Sequence, residues 1–417
     1  MNKIEQRVLD NIKIDDVIKT LSELIPIRSL GGQETPAQEY VAEWMRRNGM
    51  EVDLWEIDMN ALKQHPAFSA EVERDSVLGV VGWFGKGDGP SLILNGHVDV
   101  VPVGDARNWR YPPWQATLAD GRVYGRGSVD MKGGLSCALH AVKAIRDAGV
   151  QLKGRLLVES VVGEEDGGTG ALAAVLRGYH ADGAVLIEPT ELAIAPVQAG
   201  ALSFKVSIPG LSAHGCVREE GVSAVDGFLP VYQALQELEL KRNRSAPDPL
   251  YARYRLPYAL CIGMLHAGEW SSSVIDHLSF QGRYGVIPGE DLDDARRQFE
   301  TEVARAAASD SWLRDHPPVV EWWGGQFAPA RIPVDAPIVE TLSSAFQTAT
   351  GAASRLEGMT YGSDMRILVN EGGIPAVLFG PGDVRVSHRP DEYVPVDDLL
   401  TVTRTLALAA LRFCGVE

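Results

Sequence analysis

Positive charge is what this chain has least of. Its 417 residues carry 39 Lys and Arg against 56 Asp and Glu, a formal net charge of −17 at pH 7. Nucleic acid and anionic membrane both call for basic surface, so neither is expected as a partner. A small basic pocket on an acidic protein still leaves an anionic substrate open. Long apolar runs are missing too, since no stretch approaches the about 20 apolar residues that span a bilayer. The N-terminus, Met1-Asn2-Lys3-Ile4-Glu5-Gln6, opens an acidic amphipathic stretch with no apolar signal core, and a cytoplasmic location is expected. Cysteine is scarce: Cys137, Cys216, Cys261 and Cys414 lie far apart with no CxxC spacing, and reduced, mostly buried thiols are expected. The rest is ordinary for a globular chain, with 45% hydrophobic and 23% charged residues and length for about two or three domains.

The first segment with a clear period is helical. Ile14, Val17, Ile18, Leu21, Leu24 and Ile25 recur on one face. Short apolar runs then read as buried strands: Leu78–Phe84, Ser91–Val101, Arg155–Val162, Gly183–Ile187 and Ala376–Phe379. Between them, Leu135, Ala138, Leu139, Val142 and Ile145 form a helical stripe closed by Gly149, and a last helix starts near Pro395-Val396-Asp397 and runs through Leu411. Strands alternating with helices imply an α/β fold with a largely parallel sheet covered on both faces. The middle third has another rhythm. Leu202–Ile208, Leu260–His266, His277–Val286 and Val319–Trp323 read as strands, and Ala224–Leu240 and Leu292–Ala307 as helices. That order, β-α-β-β-α-β, is ferredoxin-like. Because chemistry-bearing motifs lie on both sides of it, an inserted domain over 200–329 is expected, dividing a main domain into 1–199 and 330–417. Asn243–Pro249 reads as a loop.

Five segments carry the chemistry. His97 ends an apolar strand, and Asp99, two residues on, shares its face and could hold the imidazole N–H. A hydrogen-bonded histidine at a strand end is the bland alternative. Asp130 sits between Gly127 and the Gly133-Gly134 pair that opens a helix; alone it would more often be an N-cap. Glu164-Glu165-Asp166 follows a buried strand. A solvated acidic loop is the usual meaning of such a run, but here two cations would relieve the repulsion. Glu188 repeats the arrangement after Ala184–Ile187, and ligand sites of α/β sheets gather beyond the carboxyl ends of strands. His388 lies in Val386-Ser387-His388-Arg389-Pro390, where a surface histidine is the bland reading. Two His and three carboxylates, His97, Asp130, Glu165, Glu188 and His388, suit a pair of divalent ions, zinc above all, if one carboxylate bridges them. Structural or solvated roles are expected for His65, His140, His180, His266, His277 and His316.

Together these motifs resemble the M20 family of dinuclear zinc peptidases and deacylases, over nearly the whole chain. The resemblance implies that His97 and Glu188 bind one zinc and His388 and Glu165 the other, with Asp130 bridging. It implies that Asp99 clamps His97, that Glu164 is the general base, and that the peptide Asp130-Met131 is cis. The insertion would be a lid carrying the dimer contact, with His214 in Gly210-Leu211-Ser212-Ala213-His214-Gly215 reaching a partner subunit's site. Arg283 matches a lid arginine that meets substrate carboxylate, and Tyr361-Gly362-Ser363-Asp364 a glycine-rich substrate turn, giving Gly362 and Ser363 as substrate contacts. One departure stands out: Ser273 occupies a position where many members have Asn.

The function expected is a dinuclear zinc-dependent hydrolase that cleaves the amide of a small N-acyl amino acid or related N-acyl amine. It would use two Zn2+ per chain, with Co2+ or Mn2+ as substitutes, and would act as a homodimer. A dipeptidase, aminopeptidase or carboxypeptidase is the alternative within the family. A catalytically silent metal-binding protein is the alternative outside it, against which Glu164 speaks, since a mere binder has no use for a base.

Overall fold

The computed structural model describes residues 1–245 and 248–417. The chain divides into two compact units. One comprises Met1–Val197, Arg331–Glu357 and Ser363–Glu417, and the other Gln198–Ala330 together with Gly358–Gly362.

The first unit is built on a mixed sheet whose middle four strands are parallel: Leu156–Val161, Leu92–His97, Gly183–Leu186 and Ala376–Leu378. Every residue of these four is buried, which is why they read as continuous apolar runs rather than as alternation. Antiparallel strands flank them. Leu78–Phe84 pairs with Leu156–Val161 and carries Glu51–Glu56 on its outer side, while Ile194–Gln198 lies beyond Ala376–Leu378. The sheet is therefore mixed, with parallel strands at its centre as the sequence suggests and antiparallel strands at its edges. The strand expected over Ser91–Val101 is only Leu92–His97, because the chain leaves the sheet after His97. Helix Lys132–Asp147 packs between Ile14–Leu24 and Val396–Cys414, and the latter packs on Pro337–Thr350. Thr35–Arg47 covers Leu78–Phe84 and buries Ala37, Val41, Ala42 and Met45 along one face.

The second unit has the β-α-β-β-α-β order. Its antiparallel sheet runs Leu260–Ala267, His277–Val286, Gly200–Pro209, Val319–Phe327, the ferredoxin-like arrangement. Its two helices, Ala224–Ser245 and Leu292–Ala308, pack together over a core of Phe204, Phe280, Tyr284 and Phe299. Gly358–Gly362 belongs here because its carbonyls are taken by this unit: Met359 O accepts from Ala199 N at 2.8 Å and from the Tyr251 hydroxyl at 3.1 Å. The loop expected over Asn243–Pro249 is in part helix, which continues to Ser245; residues 246 and 247 lie outside the described residues. Asn243 holds that end by accepting from Tyr258 N at 2.9 Å and donating to Tyr258 O at 3.1 Å.

Two smaller expectations need correction or detail. Only Cys137 and Cys414 are buried, their thiols pushed up to about 12 by burial, whereas Cys216 and Cys261 lie on the surface of the second unit. His140 is structural: it meets the Thr20 hydroxyl at 2.8 Å beneath Trp44, and burial lowers its pKa to about 4. Among the described residues no helix is long and apolar enough to cross a membrane.

The sheet core also buries an acid. Glu159 is fully inaccessible, with one oxygen accepting from Asn95 Nδ2 at 3.0 Å and the other without a hydrogen-bond partner. Burial raises its pKa from the ordinary 4.5 to about 7. The folded chain then keeps a proton that the unfolded chain releases, so stability is lost as pH rises between those two values. Glu159→Gln keeps the bond to Asn95 without a charge to bury. It should raise Tm clearly at about pH 8 and little at about pH 5. Thermal melts at both pH values check this, and a gain that is the same at both would contradict it.

Candidate metal centre

The candidate residues of the first unit converge at the carboxyl ends of its parallel strands. His97 is the last residue of Leu92–His97, Glu164 and Glu165 follow Leu156–Val161, and Glu188 follows Gly183–Leu186. Asp130 precedes helix Lys132–Asp147. His388, in a turn with φ of 60°, comes from the far end of the chain.

Asp130 is central. One of its oxygens lies 3.1 Å from His97 Nε2 and the other 3.4 Å from His388 Nε2. His388 Nε2 also sits 3.0 Å from the Glu165 carboxylate, and His97 Nε2 3.8 Å from Glu164 Oε2. Two sets of donor atoms gather within 4.8 Å of one another: His97 with Glu164 and Glu188, and His97 with Asp130 and Glu165. The peptide Asp130-Met131 is cis. On the other side of the His97 ring, Nδ1 is 3.0 Å from the backbone carbonyl of Asp99 and 3.6 Å from its carboxylate. The carbonyl is therefore the closer partner, while the carboxylate's other oxygen accepts from Glu165 N at 3.0 Å. Asp99 thus ties the His97 strand to the acidic loop.

The charge balance is unfavourable without a cation. Burial, and then the charge of Glu188, push Glu164 well above the usual carboxylate range. Burial does the same for Glu188 against the pull of His97, and burial plus the Asp130 charge raise Glu165. Burial would lower the two imidazoles, yet the carboxylates around them win: His97 rises well above its ordinary value and His388 to about 11. Both sets of shifts favour bound protons, which divalent ions would displace. The donor set is the right kind, imidazole and carboxylate. Donors around one ion at about 2.0–2.2 Å in a tetrahedral shell stand about 3.3–3.6 Å apart, close to the separations of 3.0–3.8 Å found here. The residues fit metal.

Not all the acids belong to that cluster. Asp166, third in the Glu164-Glu165-Asp166 run, is relieved by an arginine instead. Arg74, its side chain inaccessible, donates to both Asp166 oxygens at 2.8 Å and to Glu34 at 2.6 Å. Asp166 also accepts from Val72 N at 2.8 Å, so segment 71–74 is laced onto the loop that presents Glu164 and Glu165. A second buried arginine, Arg366, donates to Gly167 O at 2.6 Å. Beside it Asp364 is fully buried with neither oxygen hydrogen-bonded, and burial raises its pKa to about 7. Gly168 allows this approach: with φ of +81°, a Cβ there would stand 2.6 Å from Asp364 Oδ1. Sequence reasoning missed Arg74 and Arg366, whose partners lie 92 and 199 residues away.

His214, Ser273, Arg283 and Gly362 lie in the second unit. His214 and Ser273 form an isolated antiparallel bridge on its surface, with His214 Nδ1 accepting from Cys216 N at 3.1 Å. Arg283 donates to Thr360 O at 2.9 Å, and Gly362 packs by Phe327. Ser363, in the first unit, is buried and its hydroxyl accepts from Met365 N at 3.2 Å.

Arg74→Lys keeps a positive charge but cannot fork across two carboxylates. The variant should fold with metal affinity lowered by about 10–100-fold, as loss of an outer-shell partner usually does. Competition against a chromophoric chelator measures this; unchanged affinity would mean the loop keeps its shape without the fork.

Comparison with known proteins bears on the same residues. The model of Peptidase family M20/M25/M40 matches residues 93–412, a span that runs from the strand bearing His97 past His388. An N-formyl-4-amino-5-aminomethyl-2-methylpyrimidine deformylase of Halalkalibacterium halodurans is 29% identical, covering 91% of this chain and 90% of its own. An acetylornithine deacetylase of Myxococcus xanthus is 31% identical over 83% of this chain and 86% of its own. Among solved structures, a dinuclear metal-binding M20 peptidase of Bacillus subtilis superposes with a TM-score of 0.62 at 15% identity, covering 96% of this chain and 98% of that one. With its five donor residues inside the matched span, the chain belongs to the M20/M25/M40 peptidase family.

Proposed function

We propose that this protein is a deacylase that hydrolyses the amide of a small N-acyl amine or N-acyl amino acid with two zinc ions per chain. The observation that carries the reading is the position of Asp130 between His97 and His388, each within 3.4 Å of a different oxygen of one carboxylate. His97 and Glu188 would hold one ion, His388 and Glu165 the other, and Asp130 both. Bound there, zinc would supply Lewis acidity, lowering the pKa of water and polarising the amide carbonyl. Residues 1–199 and 330–417 serve as the catalytic domain in this reading, and 200–329 as lid and dimerisation domain.

The chain's own groups then do the following. Glu164, buried at the strand ends, takes the proton of the attacking water and returns it to the leaving amine. Asp99 holds the His97 ring through the Nδ1 side, leaving Nε2 for the metal. His214, supplied by a second copy, donates to the oxyanion of the tetrahedral intermediate. Arg283, Ser273, Gly362 and Ser363 contact the substrate. The deacylase choice rests on the relatives named above, a deformylase and a deacetylase; a dipeptidase of the same family is the second reading.

Glu164→Gln should reduce turnover by about 10²–10⁴-fold while two zinc ions per chain remain. The assay is metal analysis alongside a panel of N-formyl aminomethylpyrimidine, N-acetyl, N-succinyl and N-formyl amino acids, and dipeptides. One ion or none in the wild type overturns the two-zinc reading. Near-normal turnover of the variant removes Glu164 as the base, and loss of metal from it would make Glu164 a ligand. Cleavage of dipeptides alone would replace deacylase by dipeptidase.

A homodimer through the second unit is supported by its edge strand, Leu260–Ala267, which leaves Met264 and Leu265 about half exposed, and by Trp270 beyond it at 72% exposure. Open strand edges with apolar side chains invite an isologous partner. Co-expressing His214→Ala with Glu164→Gln should restore part of the activity that each variant lacks, because some mixed dimers carry one site with both residues. A fully active monomer, or no recovery in proven mixed dimers, would place His214 outside the partner's site.

A further inference from the structure

The metal donors come from distant stretches of chain, and one side chain joins two of those stretches. Glu392 is wholly buried four residues after His388. One of its oxygens accepts from the backbone N–H groups of Val129 and Asp130 at 3.1 and 3.3 Å. The other takes Arg126 Nη1, and its main-chain carbonyl accepts from Gly125 N at 3.0 Å. The next residues, Tyr393–Pro395, pair in antiparallel register with Arg122–Tyr124. Arg126, also buried, is pinned in turn. It donates to Pro102 O at 3.2 Å and lies over the Trp109 ring at 5.2 Å. On the near side Asp391, with φ of 56°, accepts from Arg110 N at 2.7 Å, so both flanks of Glu392 are fixed to segment 110–130.

The contact at Asp130 matters most. Its backbone N–H is held by Glu392 while its carboxylate faces both His97 and His388. The same carboxylate that fixes the Asp130 main chain therefore also fixes where the His388 turn ends. We infer that Glu392, held by Arg126, is a positioning residue that sets the spacing between Asp130 and His388 and so the grip on the metal pair. This rests on the two-metal reading above. A merely structural ion pair would predict something else, because a buried pair can often be exchanged for apolar side chains without loss of stability. Stability and metal grip separate the two roles.

The test is titration of the metal-free protein with Co2+, read by its visible absorption and by chelator competition, with thermal melts of the same samples. Glu392→Gln retains an oxygen for the two N–H groups but turns an amide toward Arg126; affinity should fall by about 10–100-fold. Adding Arg126→Met removes that conflict, and the double variant should regain most of the affinity. The apolar pair Glu392→Leu with Arg126→Met should fold yet bind Co2+ as weakly as Glu392→Gln or worse. An apolar pair that folds and holds two Co2+ at nearly wild-type affinity would overturn the inference while leaving the two-metal reading intact. If that pair fails to fold, Glu392→Gln decides alone: wild-type affinity in it overturns the inference, and a drop rescued by Arg126→Met supports it. Wild-type protein that takes up no Co2+ would remove the two-metal reading, and this inference with it.

Discussion

Everything at the strand ends answers to one constraint: too many carboxylates are buried in too little space. Asp99, Asp130, Glu164, Glu188 and Asp364 have at most slight access to solvent, and Glu165 is little better placed. Charges of one sign at such distances in a poorly solvated site repel strongly, and ordinary proteins avoid the arrangement. The structure resolves it by sorting the acids. Asp166 and Glu34 share Arg74, and Glu392 has Arg126. Those acids are closed off by a permanent cation. Among the described residues, Glu164, Glu165, Glu188 and Asp130 have no arginine or lysine within ion-pair distance; imidazoles are the basic groups nearest them, with the Arg366 guanidinium acting on Glu164 from farther off. Imidazole gives up its proton near neutrality and then ligates, which arginine cannot do. The sorting separates acids paired with a fixed cation from the candidate metal donors.

How far this was legible in the sequence depended on whether the signal was local. The strand Leu78–Phe84 and the strand His277–Val286 were readable to the residue, because each is a short β-rich run bounded by turn residues. Glu51–Glu56 was not, since its alternation stops after Glu51-Val52-Asp53-Leu54, too short to mark an edge strand that is nowhere fully buried. Four of the five candidate donors stood out because each follows an apolar strand or opens a helix next to glycine, a context that is itself local; His388, in a turn, has no such context. Their charge partners carry no such mark. Arg74 sits in the polar run Glu71-Val72-Glu73-Arg74-Asp75, and only the fold reveals that it is inaccessible. The repulsion in Glu164-Glu165-Asp166 was visible in the sequence, but its relief was assigned wholly to metal. For Asp166 that is incorrect, because the relief comes from a guanidinium 92 residues away. Long-range pairing is the part a single sequence does not encode visibly.

Adjacent residues with different duties follow from the same geometry. Glu164 and Glu165 are neighbours in the chain, yet Glu164 lies toward His97 and Glu165 toward His388. A turn makes this natural, since consecutive side chains leave the backbone in different directions. It also makes the turn's shape critical: a small rotation would exchange which carboxylate meets which imidazole. The loop is accordingly held at the Asp166 side chain by Arg74, at Gly167 O by Arg366 and at Glu165 N by Asp99. Three separate anchors on so short a loop are more than a solvated acidic run would need.

The arginine inventory also bears on what kind of substrate such a site suits. Around the strand ends of the first unit, Arg74, Arg126 and Arg366 are buried and engaged with the chain's own carboxylates or carbonyls, and the Lys132 ammonium donates to Leu24 O and Ile27 O. None of these four is placed to meet an anionic substrate without giving up an internal partner, and breaking the buried ion pairs of Arg74 or Arg126 costs about 3–5 kcal/mol. Recognition of a substrate carboxylate would therefore have to come from elsewhere; Arg283 of the second unit, the proposed contact, would itself have to turn from Thr360 O, to which it donates at 2.9 Å. A neutral or cationic amine makes no such demand. On charge alone, then, these four side chains make no provision for a substrate carboxylate.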